Sequence, residues 1–532
     1  MVKLLKKIKF SHFFWFFFFL LLLTFIFRNS LSYLDPDLGW HLQVGREIAQ
    51  TGQVPHINHY NYTYTGGWVD HEWLANFLVY EIYSRAGYQA LTVSFAALIF
   101  LTLLILFFYI RRRSELKHAP VTLAVLMFFG LLGSLPHLGI RIQEVALLFS
   151  LLVLLIIDYY ERRSNFYLLF LLLPLFYLWA SLHASFLFGL VLIFAWPAIK
   201  LLEKIIKKFR HPVWLDLGEA LSYRKIFIFL GFSLASVGAT LLTPYRGGLY
   251  SFLLGYRNTF YMWHIQEWLP QYFFPFNYWQ LTYLGLATAI FGLYIYHAWR
   301  KKYFSLNLWP AFLFLFLLAA SFKSHRNFPL FFVVSFEFLI LMFSSMAIKI
   351  NFNDRWIKWW LRLCLIICVL LLSLAQIGQM NRIKDPFNFF PLIYPQGAAQ
   401  FLKTHSEYDS YHIFNEYVWG GYLIWTYPER LLFIDGRLPQ VELNGHSFLE
   451  EYLSFSGPET DKAAKLAQYN IRLVLIKAQD QDIKAAAWEK FIFGIKDSDL
   501  KGKNYLREYL EASPNWQKAY LDRTAAIYVK KN

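Results

Sequence analysis

The sequence predicts a mainly helical, polytopic membrane protein with about eleven transmembrane helices and a small C-terminal α/β domain. Composition, a series of long apolar runs, and a change of character near residue 380 predict it. Of the 532 residues, 57% are hydrophobic and 20% aromatic, against 16% charged, and the mean hydropathy is +0.37. Soluble domains are about 45–50% apolar and about 25% charged. This balance excludes a soluble single-domain enzyme, a nucleic-acid-binding module and a disordered chain. The net charge of +16 does not point to nucleic acid. The basic residues stand in short runs between apolar stretches: Lys3, Lys6, Lys7 and Lys9; Arg111 to Arg113; Arg162 and Arg163; Lys204, Lys207, Lys208 and Arg210; Arg300, Lys301 and Lys302. Positive-inside topology produces that pattern.

The first apolar run, 11–28, follows a basic start and precedes no small-residue cleavage site. It reads as a retained signal anchor with its N-terminus in the cytoplasm. Further runs at 88–110, 120–136, 145–158, 226–243, 281–298, 305–321, 329–348 and 358–376 each approach the roughly 20 residues that span a bilayer. The stretch 166–196 lies between two basic flanks and is expected to cross twice, turning near Ser181-Leu182-His183. The C-terminus is then outside. Cys364 and Cys368, four apart on a helix, are badly placed for a disulfide and read as small apolar residues. Residues 1–379 are expected to form the transmembrane domain, with an outer loop at 29–87. A second outer loop, 244–280, carries Arg246, Arg257, His264 and Glu267. Residues 380–532 are expected to form the extracytoplasmic α/β domain, with helices at 396–403, 448–455 and 461–469 and strands at 412–414, 431–434, 471–476 and 525–529. No GxGxxG, P-loop or GxSxG string occurs.

Candidate chemistry begins at Asp35-Pro36-Asp37-Leu38-Gly39-Trp40-His41-Leu42, just past the first span. A helix is expected from Asp37 or Leu38 to about Gln50, stopped by Gly52. Asp37 reads either as its N-cap or as a functional acid, whereas Asp35 has no evident capping role. A carboxylate beside the bilayer can take a proton from an attacking hydroxyl or hold a divalent cation such as Mg2+ or Mn2+. In Trp68-Val69-Asp70-His71-Glu72-Trp73-Leu74, Asp70 suits a helix start. His71 and Glu72 read as substrate or metal contacts, or as the polar collar of an interfacial helix with Trp73, Leu74, Phe77 and Leu78 on its apolar face. Ionisable groups also gather at the outer span ends: Arg141 (with Gln143 and Glu144), His183, Arg246, Glu267, Lys323, His325 and Arg326. Charges at membrane depth mark a site or pathway, or snorkel to the headgroups. The cations among them suit a lipid-linked phosphate. In the tail, Asn415-Glu416-Tyr417-Val418-Trp419-Gly420-Gly421-Tyr422 and Phe433-Ile434-Asp435-Gly436-Arg437 read as a glycan-binding surface or as scaffold. The sequon Asn61-Tyr62-Thr63 matters only in a eukaryotic secretory context and carries no weight.

The basic start, the single span, Asp35-Pro36-Asp37, the later spans and the terminal domain together resemble the GT-C superfamily of membrane glycosyltransferases. The strings Asp35 to Asp37, Trp40-His41, Gly45, Gly52, Val54-Pro55 and Trp68 to Leu74 are similar, more narrowly, to a group of bacterial glycosyltransferase-like membrane proteins, as are the two tail strings. The resemblance implies an integral plasma-membrane enzyme of the cell envelope, and the charge pattern gives it no nucleic-acid partner. It implies a polyprenyl-phosphate sugar donor and inverting transfer to an extracytoplasmic glycan, lipid or protein acceptor. Asp35 or Asp37 is then the base or metal ligand. His41, His71, Glu72, Arg141, His183, Arg246, Glu267, Lys323, His325 and Arg326 are then the candidate substrate contacts. The rival expectation is a non-enzymatic lipid or glycan transporter, or an envelope-assembly scaffold.

Overall fold

The computed structural model describes residues 10–32, 35–112, 120–209, 215–216, 221–255, 260–301, 304–305, 307–345, 355–383, 387, 393–443, 445–480 and 482–531. Lys3, Lys6, Lys7, Lys9, Arg113, Arg210, Arg257 and Lys302 lie outside the described residues. The chain divides into two compact units. The first comprises Met1–Tyr33, Gln89–Arg246 and Glu267–Arg382, and the second Leu34–Tyr88, Gly247–Gln266 and Ile383–Asn532. The segment expected to be a loop of the membrane domain therefore clusters with the C-terminal residues.

Among its described residues the first unit is mainly helical. Among the described residues of the whole chain, six helices are long and apolar enough to cross a bilayer: His12–Ser32, Trp73–Arg111, Ile142–Arg163, Phe186–Lys208, Tyr278–Lys301 and His325–Ser345. Shorter apolar helices cover Thr122–His137, Phe166–Leu182, Leu308–Lys323 and Arg362–Ile377. Tyr223–Thr240 is helical as well. Trp73–Arg111 is two helices joined at Gly87, whose φ of 74° suits a residue without Cβ. These helices are held by close packing at small residues and by a few polar contacts, as expected where lipid removes the hydrophobic drive between helices. Phe332 lies where a Cβ on Gly130 would stand, and Phe328 does the same at Gly133. Gln376 donates to the carbonyl of Thr24 at 2.6 Å, and Gln89 to that of Met380 at 2.7 Å. The expected turn inside 166–196 is present. Leu172–Leu182 ends at His183, and Phe186–Lys208 begins three residues later. Gly189 leaves room for Trp179, whose indole donates to Ser185 Oγ at 2.9 Å, closing that turn.

The second unit is built on a four-stranded sheet. Its strands are β1 (His412–Asn415), β2 (Ile471–Lys477), β3 (Trp516–Leu521) and β4 (Ala525–Lys530), in spatial order β1-β2-β4-β3. β1 and β2 are parallel, and the other two pairings are antiparallel. Helices Gln396–Thr404, Phe448–Ser454 and Lys462–Gln468 stand where the sequence puts them. Two expectations need correction. Residues 431–434 join no sheet, making only a single bridge from Leu432 to Asn61. The Phe433 N–H instead donates to Asn415 Oδ1 at 2.9 Å, and the Ile434 carbonyl accepts from Asn415 Nδ2 at 2.9 Å. An apolar run buried on every side looks like a strand in sequence whether or not a ladder partner exists. Conversely, β3 escapes the sequence reading because Trp516–Leu521 shows no clean alternation of apolar and polar residues and lies at the sheet edge with Gln517, Lys518 and Leu521 exposed. Cys364 and Cys368 are unpaired and exposed.

Candidate active site

In the second unit, helix Leu38–Thr51 begins where expected and ends on Gly52 in the left-handed region. Its start does not use Asp37 as a side-chain cap. Asp37 Oδ1 accepts the Trp40 indole N–H at 2.9 Å. Asp35, expected to have no local duty, has one: its Oδ1 accepts the Asp37 N–H at 2.9 Å and its carbonyl the Leu38 N–H at 3.2 Å. The two aspartates thus form an Asx-type turn that launches the helix. The tail strings close around this turn. A Cβ on Gly436 would stand 2.1 Å from Asp37 Oδ1, and one on Gly421 would stand 2.3 Å from the Pro36 carbonyl. Gly39 meets the Gly421 carbonyl in the same manner, at 2.1 Å. Only glycine allows these approaches.

One turn further, His41 Nδ1 lies 2.6 Å from Asn76 Oδ1. The Asn76 amide nitrogen faces both oxygens of Asp70, at 2.9 and 2.8 Å. When Asp70 is ionised its carboxylate can only accept from that amide, which turns the Asn76 oxygen toward His41. His41 then carries its proton on Nδ1 and its lone pair on Nε2. Burial holds the His41 imidazole down at about 4, against the Asp35 carboxylate and the Asn76 contact, which favour the charged form. The ring is neutral at physiological pH. Asp70, fully buried, is raised by burial to about 7, although the hydrogen bonds from Asn76 and the Glu72 N–H and the charge of Arg437 oppose this. Glu72 completes the group, 4.0 Å from His41 Nδ1 and 3.7 Å from His71 Nε2. The protein-facing side of this second helix is Glu72, Ala75, Asn76 and Val79, whereas Leu78 is exposed. Gly45 admits the Asn76 backbone, which is how two helices distant in sequence place His41 and Asn76 in contact.

The tail strings make contacts within their own unit. Asn415 ties β1 to residues 433 and 434, and Glu416 accepts from Tyr452 Oη at 3.0 Å and from the Lys477 N–H at 3.2 Å. Arg437 is buried between the rings of Tyr60 and Trp68. It pairs with Asp435 at 2.8 Å and donates to Asn58 and Asn61. Asn61 is buried by these contacts, so its sequon presents no accessible amide.

In the first unit, Arg141 and Arg326 converge on Glu267. Arg141 Nη1 donates to Oε2 at 3.0 Å and Arg326 Nη1 to Oε1 at 2.6 Å. Arg326 also stacks on Trp268, and Ser324 Oγ donates to the Glu267 carbonyl at 3.4 Å. Burial would raise Glu267, but Arg326 and then Arg141 outweigh it and hold the carboxylate at about 2. Two guanidiniums on one carboxylate leave an excess positive charge, the arrangement that suits a phosphate. His325 Nδ1 lies 3.0 Å from Gln280 Oε1, and Gln280 donates to the Gly133 carbonyl at 3.0 Å. His137, buried beside this group, feels the charges of Arg141, Glu267 and Arg326. His183, Arg246 and Lys323 are placed differently. His183 Nδ1 accepts the Ser185 N–H at 3.0 Å in its turn, and Arg246 and Lys323 are exposed.

Sequence reasoning passed over Asn76, Gln280 and His137, because neutral amides and a lone histidine carry no spacing signal. It also passed over Glu337, near the middle of helix Phe328–Ser345. Glu337 accepts from the Tyr109 hydroxyl at 2.6 Å beside a cavity of about 150 Å³ that Asp158, Glu161 and Trp309 also line. A glutamate within an otherwise apolar span was the available signal.

No protein-family model matches the chain, and no curated protein does. Its fold is similar to that of the oligosaccharyltransferase of Archaeoglobus fulgidus in the apo form. The likeness covers 89% of this chain and 70% of that one, at 12% identity and a TM-score of 0.50. A structure of that oligosaccharyltransferase tethered to an acceptor peptide with an NVT sequon aligns over 96% of this chain and 74% of that one, at 12% identity and a TM-score of 0.48. The likeness is one of fold. With its apolar helices, the chain is an integral membrane protein.

Proposed function

We propose that this chain is a GT-C-type membrane glycosyltransferase that moves a sugar from a polyprenyl-phosphate donor to an extracytoplasmic lipid, glycan or protein. The observation that carries this reading is the pair Asp35 and Asp37, held in a turn by the tail strings, in a fold similar to that of an oligosaccharyltransferase. In the proposed step an acceptor hydroxyl attacks the sugar C1. The new C1–O bond forms as the C1–O bond to phosphate breaks, with inversion. The hydroxyl proton passes to Asp35, and polyprenyl phosphate leaves with the bonding pair. Asp37 orients the turn. Arg141 and Arg326 recognise the donor phosphate, as Arg246 and Lys323 are proposed to do from exposed positions. His41, His71, Glu72, His183, Glu267 and His325 remain proposed substrate contacts. Among the described residues no three His, Cys, Asp or Glu side chains come together to hold a metal. Asp35 and Asp37 are proposed as the two carboxylates that would hold a Mg2+ or Mn2+, with water completing its shell.

The topology proposed is eleven spans, with the N-terminus in the cytoplasm and the second unit outside. Parity supports the count. The chain leaves the second unit at Tyr88 and returns at Gly247, then leaves at Gln266 and returns at Ile383. A compact unit on one side of a bilayer requires an even number of crossings in each excursion. Among the described residues, counting only the long helices gives three in the first excursion, which is odd. Admitting the shorter apolar helices and Tyr223–Thr240 makes it six, with four in the second.

The test is sugar transfer from polyprenyl-phosphate donors by the purified protein. Asp35→Asn is expected to lower it by about 10²–10⁴-fold, with the thermal midpoint unchanged within a few degrees. Transfer that survives both Asp35→Asn and Asp37→Asn overturns the assignment. One observation favours the transporter reading, namely Glu337 and its cavity within a span. Donor flux across vesicles without sugar transfer is the result that would select it.

A further inference from the structure

Between β2 and β3 the chain makes an excursion whose base is hydrogen-bonded and whose tip is apolar. At the base, the Ile483 N–H donates to the Leu500 carbonyl at 2.8 Å and the Gly502 N–H to Asp482 Oδ1 at 3.2 Å. Arg507 pairs with Asp480 at 2.6 Å just outside it. At the tip stands the short helix Ala487–Phe493, ended by Gly494 in the left-handed region. Trp488, Phe491 and Ile492 share one helix face at i, i+3 and i+4, and they are 49%, 89% and 62% exposed. Phe493 follows at 48%. A water-facing protein rarely gathers four large apolar side chains at one tip. Here the side of the helix that turns inward is the polar one: Glu489 is buried and accepts the Ala486 N–H.

We propose that this finger is a membrane anchor, with Trp488, Phe491, Ile492 and Phe493 seated at the boundary between lipid headgroups and acyl chains. Three observations name lipid as the occupant. The composition is that of an interfacial element, aromatic and aliphatic at the tip, with the long aliphatic stems of exposed Lys484 and Lys496 beside it. The second unit is chained directly to apolar spans, so a bilayer surface lies within reach of short segments: its residue 34 follows the span His12–Ser32 almost at once, and Tyr88 leads into the helix that ends at Arg111. The charges around the tip balance. Lys484, Lys490 and Lys496 stand against Asp482, Glu489 and Asp497, with Lys490 paired to Asp497 at 2.5 Å. A near-neutral field offers nothing to an acidic or basic protein partner, so seating depends on burying apolar area and is insensitive to salt. The inference requires membrane attachment and not sugar transfer, so it stands or falls apart from the proposed enzyme activity.

The experiment uses the full chain in lipid nanodiscs, with Cys364 and Cys368 replaced by serine. A fluorophore is attached at Phe491→Cys or, as a control, at the exposed Glu407→Cys. Spin-labelled lipid is expected to quench the 491 label about threefold more than the 407 label, with matching protection from aqueous iodide and no change on an about tenfold rise in salt. Trp488→Asp with Ile492→Asp should abolish that difference while leaving the thermal midpoint in place, since both side chains are exposed. Equal quenching at 491 and 407 overturns the proposal. So does a 491 label shielded from lipid and iodide alike, which would put a protein partner or a second copy on the tip.

Discussion

His41 and Asp70 are bridged by one amide and titrate in opposite senses. Asp70 is raised from an ordinary value near 4 to about 7, so it contributes stability that is present at low pH and lost as pH rises through 7. His41 is lowered from about 6.5 to about 4, so its contribution is present above 6.5 and lost as pH falls towards 4. Each amounts to about 3–4 kcal/mol, and between pH 4 and 6.5 they cancel. Asp70→Asn is expected to give a thermal midpoint that falls on acidification from pH 7 to 4, and His41→Gln one that falls on alkalisation over the same range. Parallel profiles for the two variants would refute the opposition. None of this was legible in the sequence. Asp70 and His41 could be picked out as polar residues near the membrane, but the shifts come from burial and from Asn76, whose part only the fold reveals.

At the scale of elements, close helix contact decides which side chains meet. Leu38–Thr51 lies against Gly420–Thr426 with Gly39 facing the Gly421 carbonyl, and a methyl group there has no space to enter. Gly39→Ala is expected to destabilise the second unit by about 1–3 kcal/mol or more. Gly292→Ala, with nothing within 4 Å on helix Tyr278–Lys301, should be neutral or gain up to about 1 kcal/mol. Thermal midpoints in detergent compare the two, and equal losses would contradict the packing account. The sequence marks both glycines alike. Helix starts, helix ends and apolar runs were readable because each depends on neighbouring residues. Strand β3 and the bridge at Leu432 were not, because each depends on a partner far along the chain.

At the scale of the whole molecule, one compact unit assembled from residues near 40, near 250 and beyond 383 constrains topology. Cysteines placed at the exposed Gln53 and Leu431 should react with an impermeant reagent from the same side of the membrane, and one at Lys301 from the other. Labelling of 53 and 431 from opposite sides would overturn both the eleven-span topology and the even-crossing argument. The sequence alone determined that the chain is a membrane protein, roughly where its helices lie, and that its charges collect at their ends. Hydropathy and flanking charge are local properties, and a bilayer reads them locally. Tertiary structure alone decided that Arg141, Glu267 and Arg326 form one cluster while Arg246 and Lys323 are exposed, and that Asp35 and Asp37 are held by glycines some 400 residues later. Such contacts join segments whose separation along the chain carries no periodic signal, so they exist only once the helices have packed.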